Sequence, residues 1–332
     1  MIKAAIIGCG RIASLHAYAY KNLKNAKLIA AVEINKKRKK IFEQKFGIPV
    51  YTSIHKLIKN HNIDLASITT PPYLHYKIAL ELMKKNINLI IEKPVCLNNI
   101  EGRRLLEEEK KSKVIVSTCF QFRFNPVIKW LFNIIKKRKL GKIFLINLCL
   151  RWFRDRQYFK DEWRRKKEKI GGGVLMTHAI HLIDLLRKIV GSDSLLEIKG
   201  FASNVRKYGD IEEVVIANFK YKSNLLVNLE ASILSYPKDF ETSITIIGQR
   251  GTIKIGGKSL NKIEYAYVQN TPIPKSLIVN NMKNKPYNNH MMLIKNVLEA
   301  IKRKKKPEVQ LIDGVEAVRF INNIYSSIKL YK

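Results

Sequence analysis

Lys3-Ala4-Ala5-Ile6-Ile7-Gly8-Cys9-Gly10-Arg11-Ile12-Ala13 joins a short apolar strand to the start of a helix. Its last six residues give the pattern G-x-G-x-x-A. Gly8 permits a tight turn, Gly10 lets a pyrophosphate approach the backbone, and Ala13 is small enough for close packing of helix on strand. A glycine motif alone is weak support, but in this position it predicts a dinucleotide-binding fold.

The second predicted strand strengthens that interpretation. Residues 27–32 are apolar except for the first, and Glu33 follows them directly. Its spacing from the glycine motif is that of an acid that binds the adenosine ribose diol. A carboxylate at this position would repel a 2′-phosphate and therefore favours NAD. Lys36, Lys37 and Arg38 lie close enough to leave NADP open.

Strands and helices continue to alternate up to residue 121. Further short strands are predicted at residues 50–51, 65–69, 89–91 and 114–118, with helices between them. The alternation predicts a doubly wound parallel sheet of six strands, so residues 1–121 form a predicted Rossmann domain that binds the dinucleotide.

Two predicted strands end in polar or proline-containing turns. Thr70 and Pro71, with His75 nearby, follow one strand, and Glu92-Lys93-Pro94 follows the next. In an open α/β sheet, ligands bind at the carboxyl ends of the strands. An ordinary surface turn would also explain such an ending, and only the neighbouring segments favour a functional site.

The pattern changes after residue 121. Strands are predicted at 144–152, 196–204, 214–221, 225–233 and 242–247, with few helices between them and a hairpin turn at Gly248–Gly251. This order predicts that residues 122–332 form an α/β domain with an open, largely antiparallel sheet, which binds substrate and mediates oligomerisation. We expect its free face to join a homo-oligomer, a dimer or a tetramer.

One helix interrupts these strands. Gly171–Gly173 precede a helical pattern in which Thr177, His181 and Asp184 fall on one face. His178 and Asp184 would be separated by about 240° around the helix axis, so the sequence predicts no metal site there. Asp184 is expected to support the helix or to orient His181.

Composition excludes several classes of protein. The chain has 332 residues, 46% of them hydrophobic, and its apolar runs are too short to span a bilayer. Because the N-terminus enters a predicted strand at once, we expect no signal peptide. Its formal charge of +35 comes from lysines spread over the whole chain, which favours solvated faces over a specific nucleic-acid surface. The four cysteines are scattered, as in a cytoplasmic protein with reduced core thiols.

Taken together, the glycine loop, Thr69–Pro72 with His75, Glu92-Lys93-Pro94, and Gly171–Gly173 followed by His181 and Asp184 resemble the Gfo/Idh/MocA family of NAD(P)-dependent sugar and cyclitol oxidoreductases. The resemblance covers the whole chain. The segments 123–126 and 151–164 are similar to the branch that oxidises nucleotide-linked N-acetylated uronic sugars at C3.

The resemblance implies an enzyme in which Lys93 is the general base and His181 its helix-borne partner. Thr177 stands where the family often has Asp, or Asn in the nucleotide-sugar branch, so no carboxylate relay is available there. The substrate would be an anionic sugar or nucleotide sugar. The alternatives are a simple sugar or cyclitol dehydrogenase, and a catalytically idle dinucleotide-binding regulator.

The predicted site residues fall into three groups. The catalytic residues are Lys93, His181 and Thr177. The cofactor-binding residues are Gly8, Gly10, Arg11, Ile12, Glu33, Thr70, Pro71, His75, Glu92, Lys93 and Gln121. The substrate-binding residues are Arg123, Asn125, Arg154, Trp163, Arg164, Thr177 and His181, although Trp163 and Arg164 would serve equally well as a loop anchor.

Overall fold

The computed structural model describes residues 1–278 and 287–331. The chain divides into two compact units. The first consists of Met1–Gln121 with Asn284–Val318, and the second of Phe122–Lys283 with Arg319–Lys332. The assignment of cofactor binding to residues 1–121 and of substrate binding to residues 122–332 stays a prediction.

The strands of the two sheets have the following bounds. They are β1 Ile2–Ile7, β2 Ala26–Val32, β3 Val50–Tyr51, β4 Leu65–Ile68, β5 Asn88–Ile91, β6 Val116–Thr118, β7 Ile143–Arg151, β8 Leu195–Ser203, β9 Val214–Tyr221, β10 Leu226–Ser232, β11 Glu241–Gly248, β12 Gly251–Gly256, β13 Lys262–Val268 and β14 Lys329–Tyr331.

The α-helices have the following bounds. They are α1 Ala13–Lys21, α2 Lys36–Phe46, α3 Ile54–Asn60, α4 Pro72–Met83, α5 Asn99–Ser112, α6 Pro126–Lys136, α7 Lys167–Ile170, α8 Ile180–Val190, α9 Lys275–Ile278, α10 Asn288–Arg303 and α11 Leu311–Ser327. A π-helical turn, Leu175–Ala179, leads directly into α8.

The first unit holds a parallel sheet of six strands in the order β3-β2-β1-β4-β5-β6, which confirms the predicted doubly wound Rossmann fold. Its central strands are short apolar runs, and all four residues of β4 are buried. Such runs are typical of strands covered on both faces by helices. The order reverses at β1, so the carboxyl ends of β1 and β4 mark the crevice where ligands bind in this architecture.

The second unit holds a sheet of eight strands in the order β13-β12-β11-β7-β10-β9-β8-β14. Most neighbours are antiparallel, while β7 with β10 and β8 with β14 are parallel, which confirms the predicted largely antiparallel sheet. Strand β9 alternates between buried and exposed side chains, as expected where one face is covered and the other free. The oligomer proposed for that free face stays a prediction.

The hairpin predicted at Gly248–Gly251 is confirmed, since those two glycines pair across the turn between β11 and β12. The four cysteines are free thiols. No described helix combines the length and apolarity that crossing a bilayer requires.

Candidate active site

The glycine loop of the first unit has the geometry of a phosphate-binding turn. Gly8 has a φ of +94°, and a Cβ there would lie 2.9 Å from the backbone nitrogen of Thr70. A Cβ at Gly10 would meet nothing within 4 Å, so this backbone is open to a ligand. The Thr70 hydroxyl oxygen is inaccessible to solvent and has no hydrogen-bond partner among the described residues. An open backbone beside a buried hydroxyl fits a dinucleotide.

Glu33 connects the same loop to the end of β2. Its carboxylate accepts hydrogen bonds from the backbone nitrogens of Cys9, at 2.9 Å, and Asn35, at 2.8 Å. The side chain is 7% exposed, and Arg38 lies 4.0 Å away. Glu33 therefore fixes the loop, and a carboxylate at this position disfavours a 2′-phosphate.

His75 links the ends of β4 and β5. Its Nδ1 lies 2.7 Å from the carbonyl oxygen of Pro94, and its Nε2 lies 2.8 Å from that of Thr70. Burial lowers the pKa of His75, and the two carbonyls partly oppose that effect. These two contacts hold the turn that carries Lys93 against the strand end that carries Thr70. Lys93 itself is half-buried.

Glu92 and Gln121 point into the first unit. The Glu92 carboxylate is 6% exposed and lies 3.0 Å from Nε2 of His16. Burial raises the pKa of Glu92, but the hydrogen bond and charge of His16 outweigh it, so the net pKa is lowered. Gln121 accepts a weak hydrogen bond from the Cys119 thiol, at 3.9 Å. The cofactor-binding roles of Glu92 and Gln121 stay predictions.

The remaining predicted cofactor residues lie at helix starts. Arg11 is exposed, Ile12 is the N-cap residue of α1, and Pro71 is the N-cap residue of α4. Helix N-termini present free backbone N–H groups and suit anionic groups. The cofactor-binding roles of Arg11, Ile12 and Pro71 also stay predictions.

In the second unit, Thr177 and His178 lie in the π-helical turn and form a directed chain of hydrogen bonds. Arg154 can only donate, so its Nε donates to Nε2 of His178, at 3.1 Å. His178 must then be neutral, with its proton on Nδ1, which donates to the Thr177 hydroxyl at 2.6 Å. The Thr177 hydroxyl donates in turn to the carbonyl of Gly173, at 2.7 Å.

Asp184 and Arg123 form a buried ion pair, with Nε of Arg123 2.8 Å from the carboxylate and both side chains at most 2% exposed. His181 stacks on Phe122, with ring centroids 4.6 Å apart. The structure thus gives Asp184 a partner other than His181. It also gives Arg123 a partner within the fold, so the substrate-binding role of Arg123 stays a prediction.

Asn125 has a local partner as well. Its side chain accepts from the Val127 nitrogen at the start of α6, at 2.9 Å, and donates to the carbonyl of Ser259, at 3.1 Å. Both bonds belong to helix capping and loop fixation. Its predicted substrate contact remains untested.

An arginine–aromatic cluster lies around Tyr158. The guanidinium of Arg154 is 5.6 Å from the Tyr158 centroid, and that of Arg164 is 4.5 Å away. Arg164 also stacks on Trp163, at 4.2 Å, and Arg154 on Trp152, at 4.8 Å. We call Trp152, Arg154, Tyr158, Trp163 and Arg164 the Tyr158 cluster. It brings together three of the predicted substrate residues: Arg154, Trp163 and Arg164.

Acidic groups orient these guanidinium groups without using every donor. Arg154 Nη1 donates to Asp239 at 2.8 Å, and Arg164 Nε donates to Asp161 at 3.3 Å. Among the described residues, the hydrogen bonds of Arg154 use Nε and Nη1, which leaves Nη2 for a ligand. Arg151 differs, because it is paired with both Glu230 and Glu241.

Glu212 is a positioning residue that sequence reasoning missed. Its buried carboxylate accepts from the backbone nitrogens of Gly173 and Leu175, at 2.7 and 3.1 Å, and from the hydroxyl of Tyr325, at 2.7 Å. A Cβ at Gly173 would collide with the Glu212 backbone, which explains the glycine there. Burial raises the pKa of Glu212. For His178, the sequence analysis considered only a metal-binding role and did not foresee its hydrogen bonds with Arg154 and Thr177.

Comparison with known families agrees with this geometry. Residues 2–120 match the Gfo/Idh/MocA description "Oxidoreductase family, NAD-binding Rossmann fold", and residues 133–330 match "Oxidoreductase family, C-terminal alpha/beta domain". The chain belongs to the Gfo/Idh/MocA family. It is therefore an oxidoreductase with an NAD-binding Rossmann domain, which confirms the predicted enzyme class and cofactor.

Among its relatives, glucose-6-phosphate 3-dehydrogenase of Bacillus subtilis is 28% identical, covering 84% of this chain and 82% of that protein. Myo-inositol 2-dehydrogenase of Thermotoga maritima is 26% identical, covering 76% and 74%. The WlbA dehydrogenase of Bordetella pertussis, crystallised with NADH and UDP-GlcNAcA, aligns with a TM-score of 0.87 at 24% identity, covering 98% and 96%. The last likeness establishes the fold.

Proposed function

We propose that the protein oxidises a secondary hydroxyl of an anionic sugar, at C3 of a nucleotide-linked N-acetylated uronic sugar, with NAD as the hydride acceptor. The Tyr158 cluster carries this proposal. Guanidinium groups that are held in place and still have free N–H donors suit carboxylate or phosphate oxygens. A neutral cyclitol would leave these donors without an ionic partner.

The first unit supplies the cofactor site. The open backbone at Gly10 and the partnerless hydroxyl of Thr70 would hold the dinucleotide, with Glu33 next to the adenosine ribose. NAD⁺, when bound there, would supply the hydride acceptor for the substrate carbon. Everything else in the reaction is proton transfer and positioning by the protein.

Lys93 is the proposed general base. As a neutral amine it takes the proton of the hydroxyl group while that carbon loses a hydride and becomes a ketone, so the two electrons leave with the hydride. Its place after β5, in a turn held by His75, provides a fixed position at a strand end. The Thr177 hydroxyl, fixed between His178 and the Gly173 carbonyl, is the group proposed to hydrogen-bond the sugar.

The relatives support two anionic substrates. WlbA was crystallised with a nucleotide-linked uronic sugar, and the Bacillus subtilis relative is named for glucose 6-phosphate. A phosphorylated hexose is therefore the second candidate substrate. It is supported by the sequence identity of the Bacillus subtilis relative, which is higher than that of WlbA. Both candidates carry an anionic group that the Tyr158 cluster would bind.

The test is Lys93→Met, measured as NADH formation and, separately, as NAD affinity. Loss of a positioned general base costs about 10²–10⁴-fold in rate. The affinity for NAD should change little, because Gly10, Thr70 and Glu33 remain. Lys85→Met, at an exposed position of the same unit, is the matched control and should behave as wild type.

Wild-type turnover in Lys93→Met would remove Lys93 from the chemistry. Absence of NADH formation from every sugar tried, with intact NAD binding, would favour the idle regulator instead.

A further inference from the structure

Four metal-ligating side chains meet in the interior of the first unit, although they are far apart in sequence. They are His16 on α1, Glu92 after β5, Cys119 after β6 and His290 on α10. One ligand atom from each lies within 4.8 Å of all the others, and all four residues are buried. We call these residues the His16 cluster. The proposed dehydrogenase function requires no metal ion at these residues.

The distances are close to those of a tetrahedral centre. Nε2 of His16 lies 3.0 Å from the Glu92 carboxylate and 3.9 Å from Sγ of Cys119, and Nε2 of His290 lies 3.8 Å from the same carboxylate oxygen. Ligands about 2.0–2.3 Å from Zn²⁺ are separated from one another by roughly 3.3–3.7 Å in a tetrahedron. Shifts of a few tenths of an ångström to about 1 Å would bring the four atoms into place.

His290 provides a second, independent observation. The residue is 4% exposed, and neither of its ring nitrogens has a hydrogen-bond partner among the described residues. Buried polar groups in folded proteins are nearly always satisfied, so each exception calls for an explanation. A cation bound to Nε2 would supply the missing partner.

The ring of His16 is already held as a ligand would be. Its Nδ1 lies 3.1 Å from the Ser67 hydroxyl, which in turn lies 2.7 Å from the hydroxyl of Tyr20. Metal-binding histidines usually donate the proton of the nitrogen that does not bind to such an outer partner. With Nδ1–H donating to Ser67, the lone pair of Nε2 would bind a cation in place of the present hydrogen bond between Nε2 and Glu92.

We propose that His16, Glu92, Cys119 and His290 form a structural Zn²⁺ site. Two imidazoles, one carboxylate and one thiolate are a donor set that suits Zn²⁺, and the two anionic ligands balance its charge in a buried place. Four protein ligands close the coordination sphere, as in structural rather than catalytic zinc sites. The ion would tie α10 to α1 and to the ends of β5 and β6.

The test is a titration of the reduced, chelator-treated full-length protein with Co²⁺, followed by absorption spectroscopy and competition with Zn²⁺. Wild type should bind about one ion per chain, with a thiolate-to-cobalt charge-transfer band that Zn²⁺ removes. Cys119→Ser should lose the band, whereas Cys96→Ser, at a buried cysteine outside the cluster, should keep it. His290→Gln should weaken binding at least tenfold and keep the sulfur band at saturation.

Circular dichroism and NAD binding would show that each variant is folded. A folded wild type without a charge-transfer band, or a band that survives Cys119→Ser, would overturn the proposal and leave the His16 cluster as a hydrogen-bonded part of the core. This readout does not depend on the substrate, so it can fail while the proposed dehydrogenase activity stands.

Discussion

The glycine loop of the first unit and the Tyr158 cluster of the second unit are built in different ways. The loop acts through its backbone, because Gly8 and Gly10 matter for the side chain that they lack. The whole motif lies within 11 consecutive residues of the sequence. The cluster works through side chains that stack and pair, and its acidic supports, Asp161 and Asp239, are 78 residues apart.

This difference indicates which of the two regions sets substrate specificity. A site formed by the backbone tolerates few residue types at its glycine positions. It binds the ligand that members of the fold share, which is a dinucleotide. A side-chain site can change with single substitutions, and it would therefore select the sugar. The following variants test whether the two regions act independently.

Gly8→Ala should be the most damaging change. The left-handed backbone alone costs about 1–2 kcal/mol for alanine, and the Cβ would also press on the backbone of Thr70. Thermal unfolding should show a lower midpoint, and NAD affinity should fall. Gly10→Ala is the matched control: it should fold as wild type, since its Cβ meets nothing, yet lose NAD affinity.

Unchanged NAD affinity in Gly10→Ala would contradict the assignment of this backbone to the pyrophosphate.

Arg154→Met should affect the sugar and spare the cofactor. A charge-assisted hydrogen bond contributes about 1.5–3 kcal/mol, so kcat/KM for an anionic sugar should fall about 10- to 100-fold, chiefly through KM. Steady-state kinetics and NAD titration would separate the two effects. Arg156→Met, at an exposed neighbouring position, should change neither. A loss of NAD affinity in Arg154→Met would show that the two regions are not independent.

Thr177→Val removes the hydroxyl that lies between His178 and the Gly173 carbonyl while keeping the shape of the side chain. Leaving these buried groups without a partner should cost about 1–3 kcal/mol in the free energy of unfolding. Thr177→Ser keeps the hydroxyl and should recover most of that loss in chemical denaturation. Equal stability of the two variants would rule out the directed chain of hydrogen bonds.

Glu33→Gln should have the smallest effect. It keeps only one of the two hydrogen bonds from the nitrogens of Cys9 and Asn35, which donate to different oxygens of the carboxylate, and it removes the charge. The ratio of NAD to NADP affinity should therefore narrow, with only a small loss of NAD affinity. Tighter binding of NADP than NAD to the unmodified protein would show that Glu33 does not set the preference.

The sequence predicted the elements whose patterns are local. The six strands of the first sheet were recognised because they are apolar runs separated by helices, and the hairpin at Gly248–Gly251 because its glycines are adjacent to strands. Strands β12, β13 and β14 were missed. β13 is an edge strand with mostly exposed side chains, so its hydrophobic alternation is weak.

The candidate sites were likewise predicted only as far as local sequence patterns allow. Periodicity placed Thr177 and His181 on one helical face, but it could not show the π-helical turn that joins His178 to Arg154. Nor could it show that Asp184 would be neutralised by Arg123, which lies 61 residues earlier. Contacts between distant segments depend on the folded packing, and no local pattern encodes them.

The most direct test of the central claim is a substrate comparison with the unmodified protein and NAD. NADH formation would be followed with UDP-linked N-acetylglucosaminuronic acid, glucose 6-phosphate, glucose and myo-inositol at matched concentrations. The proposed function predicts the highest kcat/KM for the nucleotide-linked uronic sugar and a higher value for either anionic sugar than for either neutral one. A higher kcat/KM for glucose or myo-inositol than for both anionic sugars would contradict it.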